Sequence, residues 1–195
     1  MPELTLTKES RVLQVGDPVL RGQCQRLSND EIASEAIQEL IRLMRETMRA
    51  APGVGLAAPQ VGVPLQLAVI EDRAEYHKDI PAARLTERER RPVPFHVIVN
   101  PTITSYGRPD VEFYEGCLSL AGFSALVPRA AQVHVACLNE RAEPTVIEAR
   151  GWYARILQHE IDHLNGALYF DRMLPRTFTT TENLIKFQMR APVIE

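Results

Sequence analysis

The sequence predicts an α+β fold in which antiparallel strands pack around one central helix. Three patterns carry this reading. Ile37, Leu40, Ile41, Met44 and Met48 recur at three- and four-residue steps, the period of an amphipathic helix. Val133, Val135 and Cys137 alternate with His134, Ala136 and Leu138, and Thr145-Val146-Ile147 follows a polar turn at 139–143, the pattern of a β-hairpin. Ala154, Leu157, Ile161 and Leu164 share one face of a helix running from near Gly151 to Gly166, and that apolar face makes it the centre of the core.

Composition sets the outer bounds. The chain has 195 residues, 22 basic and 25 acidic side chains, and 45% hydrophobic content, which suits a single domain over 1–195 with a substantial core. So balanced a charge gives no reason to expect direct binding of nucleic acid or a membrane. The apolar runs are too short to span a bilayer, and Met1-Pro2-Glu3-Leu4-Thr5 lacks the basic start and apolar stretch of a secretory signal. Without an Arg- and Ser-rich leader, a bacterial cytoplasm is the expected location, or an organelle interior if a leader has been removed. Cys24, Cys117 and Cys137 are too few and too scattered for a disulfide framework, which indicates a reducing compartment.

Taken in order, Val12 to Val15 reads as a short strand entering a reversal at Gly16-Asp17-Pro18. Ser28-Asn29-Asp30 supplies capping side chains for the helix of Ile37 to Met48, which ends at Ala51-Pro52-Gly53. Gly53-Val54-Gly55-Leu56-Ala57-Ala58 matches a Gly-x-Gly-x-x-Ala dinucleotide fingerprint, but such a fingerprint needs a strand before it and a helix after it. Here a helix precedes, and Pro59, Gly62 and Pro64 block the second helix. What remains is a glycine-rich loop that lets backbone approach a ligand and ends in the amide of Gln60. Leu65 to Ile70 reads as a buried strand. Glu71 to Pro94, with its Arg88-Glu89-Arg90-Arg91 run, reads as a solvated insertion with room for a helical turn. Val97-Ile98-Val99 resumes the sheet, and Gly107-Arg108-Pro109 reads as a turn before Val111 to Tyr114.

The chemistry concentrates in Gln158-His159-Glu160-Ile161-Asp162-His163. Residues four apart on a helix lie above one another, so His159 and His163 can turn ring nitrogens to one metal ion with Glu160 beside it as a base. A surface helix with polar residues at this spacing is the plain alternative. The third ligand decides between them, because catalytic sites of this kind keep three protein donors and one open position. Cys117 is the candidate. It follows Glu115-Gly116 at a strand end, whereas Cys24 and Cys137 sit among apolar neighbours; His77, His96 and His134 have no comparable company.

Together these segments resemble the peptide deformylase family, whose marks are a Gly-x-Gly-x-Ala-Ala-x-Gln loop, a Glu-Gly-Cys-x-Ser segment and a His-Glu-x-Asp-His helix. They stand here at Gly53 to Gln60, Glu115 to Ser119 and His159 to His163, in the family's order and spacing. Gly16-Asp17-Pro18-Val19-Leu20-Arg21 is also similar to the family. Gly151-Trp152, Ala154-Arg155-Ile156, Pro175-Arg176-Thr177-Phe178 and the charged insertion before Phe95 resemble its organellar-type branch.

The resemblance implies antiparallel sheets around a metal-binding helix, and hydrolysis of the N-formyl group from N-formylmethionine on newly made polypeptides, with transient contact at the ribosome. Cys117, His159 and His163 would bind one divalent metal, Fe2+ as the working ion, although Zn2+, Ni2+ or Co2+ suit the same ligands. Glu160 would move the proton, and the Gln60 amide and Leu118 backbone N–H would donate to the oxyanion. Gly55 and Gly116 would let the peptide lie close as an added strand, with Val54, Trp152 and Ile156 around the methionine side chain. Arg155 departs from the apolar residue of many bacterial members, and Asp162 is expected to orient the site by hydrogen bonding. Two other readings stand beside this one: a zinc metallopeptidase, suggested by His-Glu-x-x-His but not by Cys117, and a binding relative without activity. Oligomeric state is not readable from periodicity.

Overall fold

The computed structural model describes residues 12–51 and 53–188, and it has the expected α+β architecture. Strands β1 (Gly55–Ala57), β2 (Leu67–Asp72), β3 (Val93–Cys117), β4 (Leu120–Leu138) and β5 (Pro144–Arg150) form an antiparallel sheet in sequence order, and β6 (Thr179–Thr180) pairs with β4. Helices α1 (Asn29–Ala33) and α2 (Glu35–Ala50) precede the sheet. The short α3 (Ala82–Glu87) lies between β2 and β3, α4 (Gly151–Leu164) follows β5, and α5 (Thr181–Asn183) comes last.

The buried run in β2 explains how two helices share one sheet. Successive strand side chains point to opposite faces. Ala68 and Ile70 therefore join the α4 residues Ala154, Leu157, Ile161 and Leu164, while Leu67 and Val69 join Ile37, Leu40, Met44 and Met48 of α2. Both faces of β2 are covered, so its sequence is apolar throughout rather than alternating. The β4–β5 hairpin has the expected alternation, with Val135 opposite Ile147 and Val133 opposite Ala149. Its Asn139 Oδ1 accepts from the backbone N–H of Arg141 and Glu143, closing the turn.

Four local expectations give way. Val12 to Val15 is not a strand: Leu13 N–H bonds to Gln60 O and Val15 N–H to Ser119 O, so the segment straps two loops together instead of joining the ladder. The expected single helix over 29–50 is broken at Ser34, which turns extended and caps α2 by accepting from Ile37 N–H. Gly107-Arg108-Pro109 does not end the strand, because β3 runs through it with a register shift between Gly107 and Asp110. Three more shifts, between Val99 and Thr102, Ile103 and Ser105, and Glu115 and Cys117, bend the long β3–β4 ribbon, as bulges do.

The fourth correction concerns the charged insertion. Most of residues 73–94 are exposed and α3 is the expected helical turn, but the ends of the insertion dock on the protein. Asp72 and Glu71 are buried, and each takes a two-point ion pair, from Arg90 and Arg49 respectively. Arg88 and Arg90 both lie over the Trp152 ring. The N-terminus of α4 has no side-chain cap, and Trp152 N–H donates instead to the Arg88 carbonyl at 2.8 Å. Among the described residues, no helix is long and apolar enough to cross a membrane.

Candidate metal and catalytic centre

Helix α4 places His159 and His163 one turn apart with ring centroids 5.0 Å from each other. Cys117 enters from the end of β3, where the strand turns into β4. Its Sγ lies 3.2 Å from His163 Nε2, and the donor atoms of Cys117, His159 and His163 all fall within 4.8 Å of one another. Two N–H groups point at the sulfur: Ser119 backbone N–H at 3.4 Å and Gln60 Nε2 at 3.6 Å. One soft sulfur and two imidazoles so close together fit a divalent transition metal.

The His159 ring is oriented from behind. Its Nδ1 meets Glu115 Oε2 at 3.1 Å, which leaves Nε2 as the nitrogen available to a metal ion. Glu115 is itself gripped by Arg129, through Nε and Nη2 at 3.0 Å each, and by Arg155 Nη1 at 2.7 Å. Arg129 continues to Asp162, which also takes both ends of Arg172. Asp162 therefore reaches the imidazole only through two intermediaries, Arg129 and Glu115. Burial alone would raise the Glu115 pKa, but His159 and Arg129 outweigh it and hold the carboxyl far below the usual range. Burial also opposes charge on both histidines. The neighbouring Cys117 and Glu115 nonetheless drive His159 well up, while burial and the nearby His159 drive His163 well down. His163 Nδ1 is buried with no partner among the described residues, so nothing comparable orients that ring from behind.

Glu160 is buried beside this cluster, and its Oε2 has no hydrogen-bond partner among the described residues. Burial pushes its pKa up to about 7. A carboxylate left unpaired in a cleft, with a pKa near neutrality, is suited to take and return a proton. Gln60 is pinned: Oε1 accepts from Ala57 N–H at 2.8 Å, and Nε2 donates to Ser119 Oγ at 3.1 Å. The strap at residues 12–15 holds the same loops, since Gln14 Nε2 donates to the Leu118 carbonyl.

These groups open onto a cleft of about 480 Å³. Ten of the eleven residues singled out from the sequence line it: Cys117, His159, Glu160, Gln60, Leu118, Val54, Gly55, Gly116, Trp152 and Ile156. The exception, His163, lies behind the wall at 1% exposure. Gly55 is needed for a reason the sequence did not suggest, because its Cβ would fall 2.2 Å from Glu160 Oε1. Gly116 has only ordinary contacts at that position. Sequence reasoning missed three contributors: Glu115 as the His159 partner, Arg129 as its clamp, and Tyr169, whose ring stacks on His159 at 6.3 Å. The Glu115-Gly116-Cys117 adjacency was the available signal for the first; Arg129 and Tyr169 carry no local signature.

The family model for polypeptide deformylase matches residues 9–178, which include every residue of this centre. The chain belongs to the peptide deformylase family. Its relatives point to the organellar-type branch. It is 48% identical to chloroplastic peptide deformylase 1A of Solanum lycopersicum over 173 residues, 89% of this chain and 62% of that protein. It is 42% identical to the mitochondrial peptide deformylase of Homo sapiens, over 87% of this chain and 70% of that one. Among solved structures, it resembles a Synechococcus elongatus peptide deformylase in complex with actinonin, with a TM-score of 0.70 at 39% identity, covering 85% of this chain and 80% of that one. This chain thus spans less than two-thirds of the tomato deformylase.

Proposed function

We propose that this chain is a peptide deformylase: it hydrolyses the N-formyl group of N-formylmethionine at the start of newly made polypeptides, releasing formate and a free amine. The observation that carries the reading is the meeting of Cys117, His159 and His163 donor atoms within 4.8 Å at a cleft that is also lined by Glu160, whose Oε2 has no partner among the described residues. Family membership supports it, and residues 1–195 are read as one catalytic domain.

In this reading Cys117, His159 and His163 hold one divalent metal, with Fe2+ as the working ion and Zn2+, Ni2+ or Co2+ as ions the same donors accept. When bound, such an ion supplies Lewis acidity that lowers the pKa of water and polarises a carbonyl. Glu160 accepts a proton from the attacking water and returns it to the departing amine. Gln60 and the Leu118 backbone N–H donate to the carbonyl oxygen as it becomes negative, each at a value of about 3 kcal/mol. Gln60 already spends its amide on Ser119 and Cys117, so the long 3.6 Å contact to sulfur is the one it exchanges for the oxyanion. Val54, Trp152 and Ile156 take the methionine side chain. Gly55 and Gly116 face the peptide backbone.

The substrates are nascent chains, met transiently at the ribosome, in a bacterial cytoplasm or an organelle interior. The test is formate release from a formyl-methionyl tripeptide by protein loaded anaerobically with Fe2+, beside its unformylated counterpart. Formate from the first and no internal cleavage of the second is expected. Internal cleavage alone would support a metallopeptidase, and metal uptake without turnover a binding protein.

A further inference from the structure

Arg155 stands at the junction of the cleft wall and the buried polar network, and the chemistry described so far makes no use of it. Its side chain is buried at 2% exposure. Nη1 donates to Glu115 Oε1 at 2.7 Å and to the Val127 carbonyl at 2.8 Å, and Nη2 donates to the Val111 carbonyl at 2.5 Å. Its flat face lies over Phe113 and Trp152, with its central carbon 5.2 and 6.0 Å from the ring centroids. One planar group therefore ties α4 to β3 and β4 while closing the cleft with its apolar face.

The consequence lies in how the two oxygens of Glu115 are shared. Oε1 is taken by two guanidiniums, Arg129 Nε at 3.0 Å and Arg155 Nη1 at 2.7 Å. Oε2, held from one side by Arg129 Nη2, is the oxygen left to face His159 Nδ1 at 3.1 Å. With Arg129 alone the carboxylate keeps one fork and can swing about it. Arg155 approaches from helix α4, whereas Arg129 comes from strand β4, and it fixes the remaining freedom. A residue that only filled the wall would not spend two buried hydrogen-bonding nitrogens on a carboxylate and two strand carbonyls.

We propose that Arg155 is a positioning residue for the metal centre, acting through Glu115: it locks the carboxylate so that His159 keeps its proton on Nδ1 and offers Nε2 to the ion together with Cys117 and His163. The inference rests on reading those three residues as metal ligands.

The test uses the whole chain loaded with Co2+, whose visible absorption reports the geometry of thiolate and imidazole ligands, and compares the wild type with Arg155→Met and Arg155→Lys. Loss of an outer hydrogen-bonding partner typically weakens metal binding by about 10- to 100-fold. Arg155→Met should bind Co2+ that much more weakly against a competing chelator and show shifted visible bands, with its fold verified by circular dichroism. Arg155→Lys restores a cation without the fork and should recover part of both. A folded Arg155→Met with wild-type affinity and spectrum overturns the proposal. If that variant does not fold, Arg155→Lys and the ring-nitrogen spectrum of the Zn2+-loaded wild type decide: His159 should be protonated at Nδ1, and the opposite tautomer overturns the inference. A wild type that takes up no Co2+ overturns both the ligand reading and this one. Uptake that depends on Arg155 without formate release sinks the proposed activity and leaves this inference standing.

Discussion

The carboxylate of Glu160 fills the space that a side chain at Gly55 would need. A Cβ on Gly55 would lie 2.2 Å from Oε1, 2.6 Å from Cδ and 2.9 Å from Cγ of Glu160. Three atoms of a buried side chain would have to move together, and the helix behind them leaves little room. Gly55→Ala should therefore displace Glu160 without touching the metal ligands. A misplacement of about 1 Å at a reacting group can cost roughly 100-fold in rate. Turnover of a formyl-methionyl peptide should fall by about that factor while bound metal stays at the wild-type level. Wild-type turnover in the alanine variant would mean that Glu160 adapts freely or does not take part.

Glu160→Gln should keep metal and fold but lose turnover by about 10²- to 10⁴-fold, the range for removing a general acid–base group. Its stability should move the other way in metal-free protein. The folded carboxyl titrates near 7, above the ordinary value of 4.5. Between those values the folded state holds a proton that the unfolded chain has released, so wild-type stability falls as pH rises from 4.5 to 7. The glutamine variant lacks this dependence. Urea unfolding of both proteins across that window should show the variant gaining on the wild type toward neutral pH, and parallel curves would place the Glu160 carboxyl in a more solvated setting than its burial indicates.

What was legible in the sequence follows from how local each cause is. The stripe Ile37 to Met48, the β4–β5 alternation and the apolar face of α4 are periodic within one element, and each appears where it was read. The His159–His163 pair is one turn of one helix. By contrast, Val12 to Val15 has a strand's composition, but its N–H groups are claimed by Gln60 and Ser119, far away in the chain. Glu115, Arg129 and Asp162 meet only because β3, β4 and α4 converge, with separations of 14 and 33 residues along the sequence. The Arg88 to Arg91 run has the composition of a solvated loop. Its docking depends on Asp72 and Trp152, which no spacing rule connects to it.

Glu115→Gln should destabilise the protein by about 3–5 kcal/mol at neutral pH, because Arg129 and Arg155 would be left buried without their shared carboxylate. The pH dependence has a definite sign. The Glu115 pKa is depressed in the folded state, so its stabilisation is complete above the ordinary value of 4.5 and is lost as pH falls below it. The gap between wild type and variant, measured by urea unfolding, should stay constant from pH 7 to 5 and narrow in more acidic solution. A gap independent of pH down to acid unfolding would show that the arginines find other partners.

The last test concerns the contact between the charged insertion and the start of α4. Gly151 has φ +56°, and a Cβ there would fall 2.4 Å from Glu89 Cβ and 2.5 Å from the Arg88 carbonyl oxygen, the acceptor for Trp152 N–H. Left-handed backbone in an alanine already costs of order 1–3 kcal/mol. Here the clash adds to it, because Arg88 and Arg90 must withdraw from the indole they cover. Gly151→Ala should undock the insertion, lower stability by about 2 kcal/mol or more, and expose Arg88 and Arg90 to trypsin under native conditions. Trp152 lines the cleft, so loss of its clamp should raise KM for the formyl-methionyl peptide more than it lowers kcat. A stable, trypsin-resistant Gly151→Ala protein would mean that the insertion can be held by Asp72 and Arg90 alone.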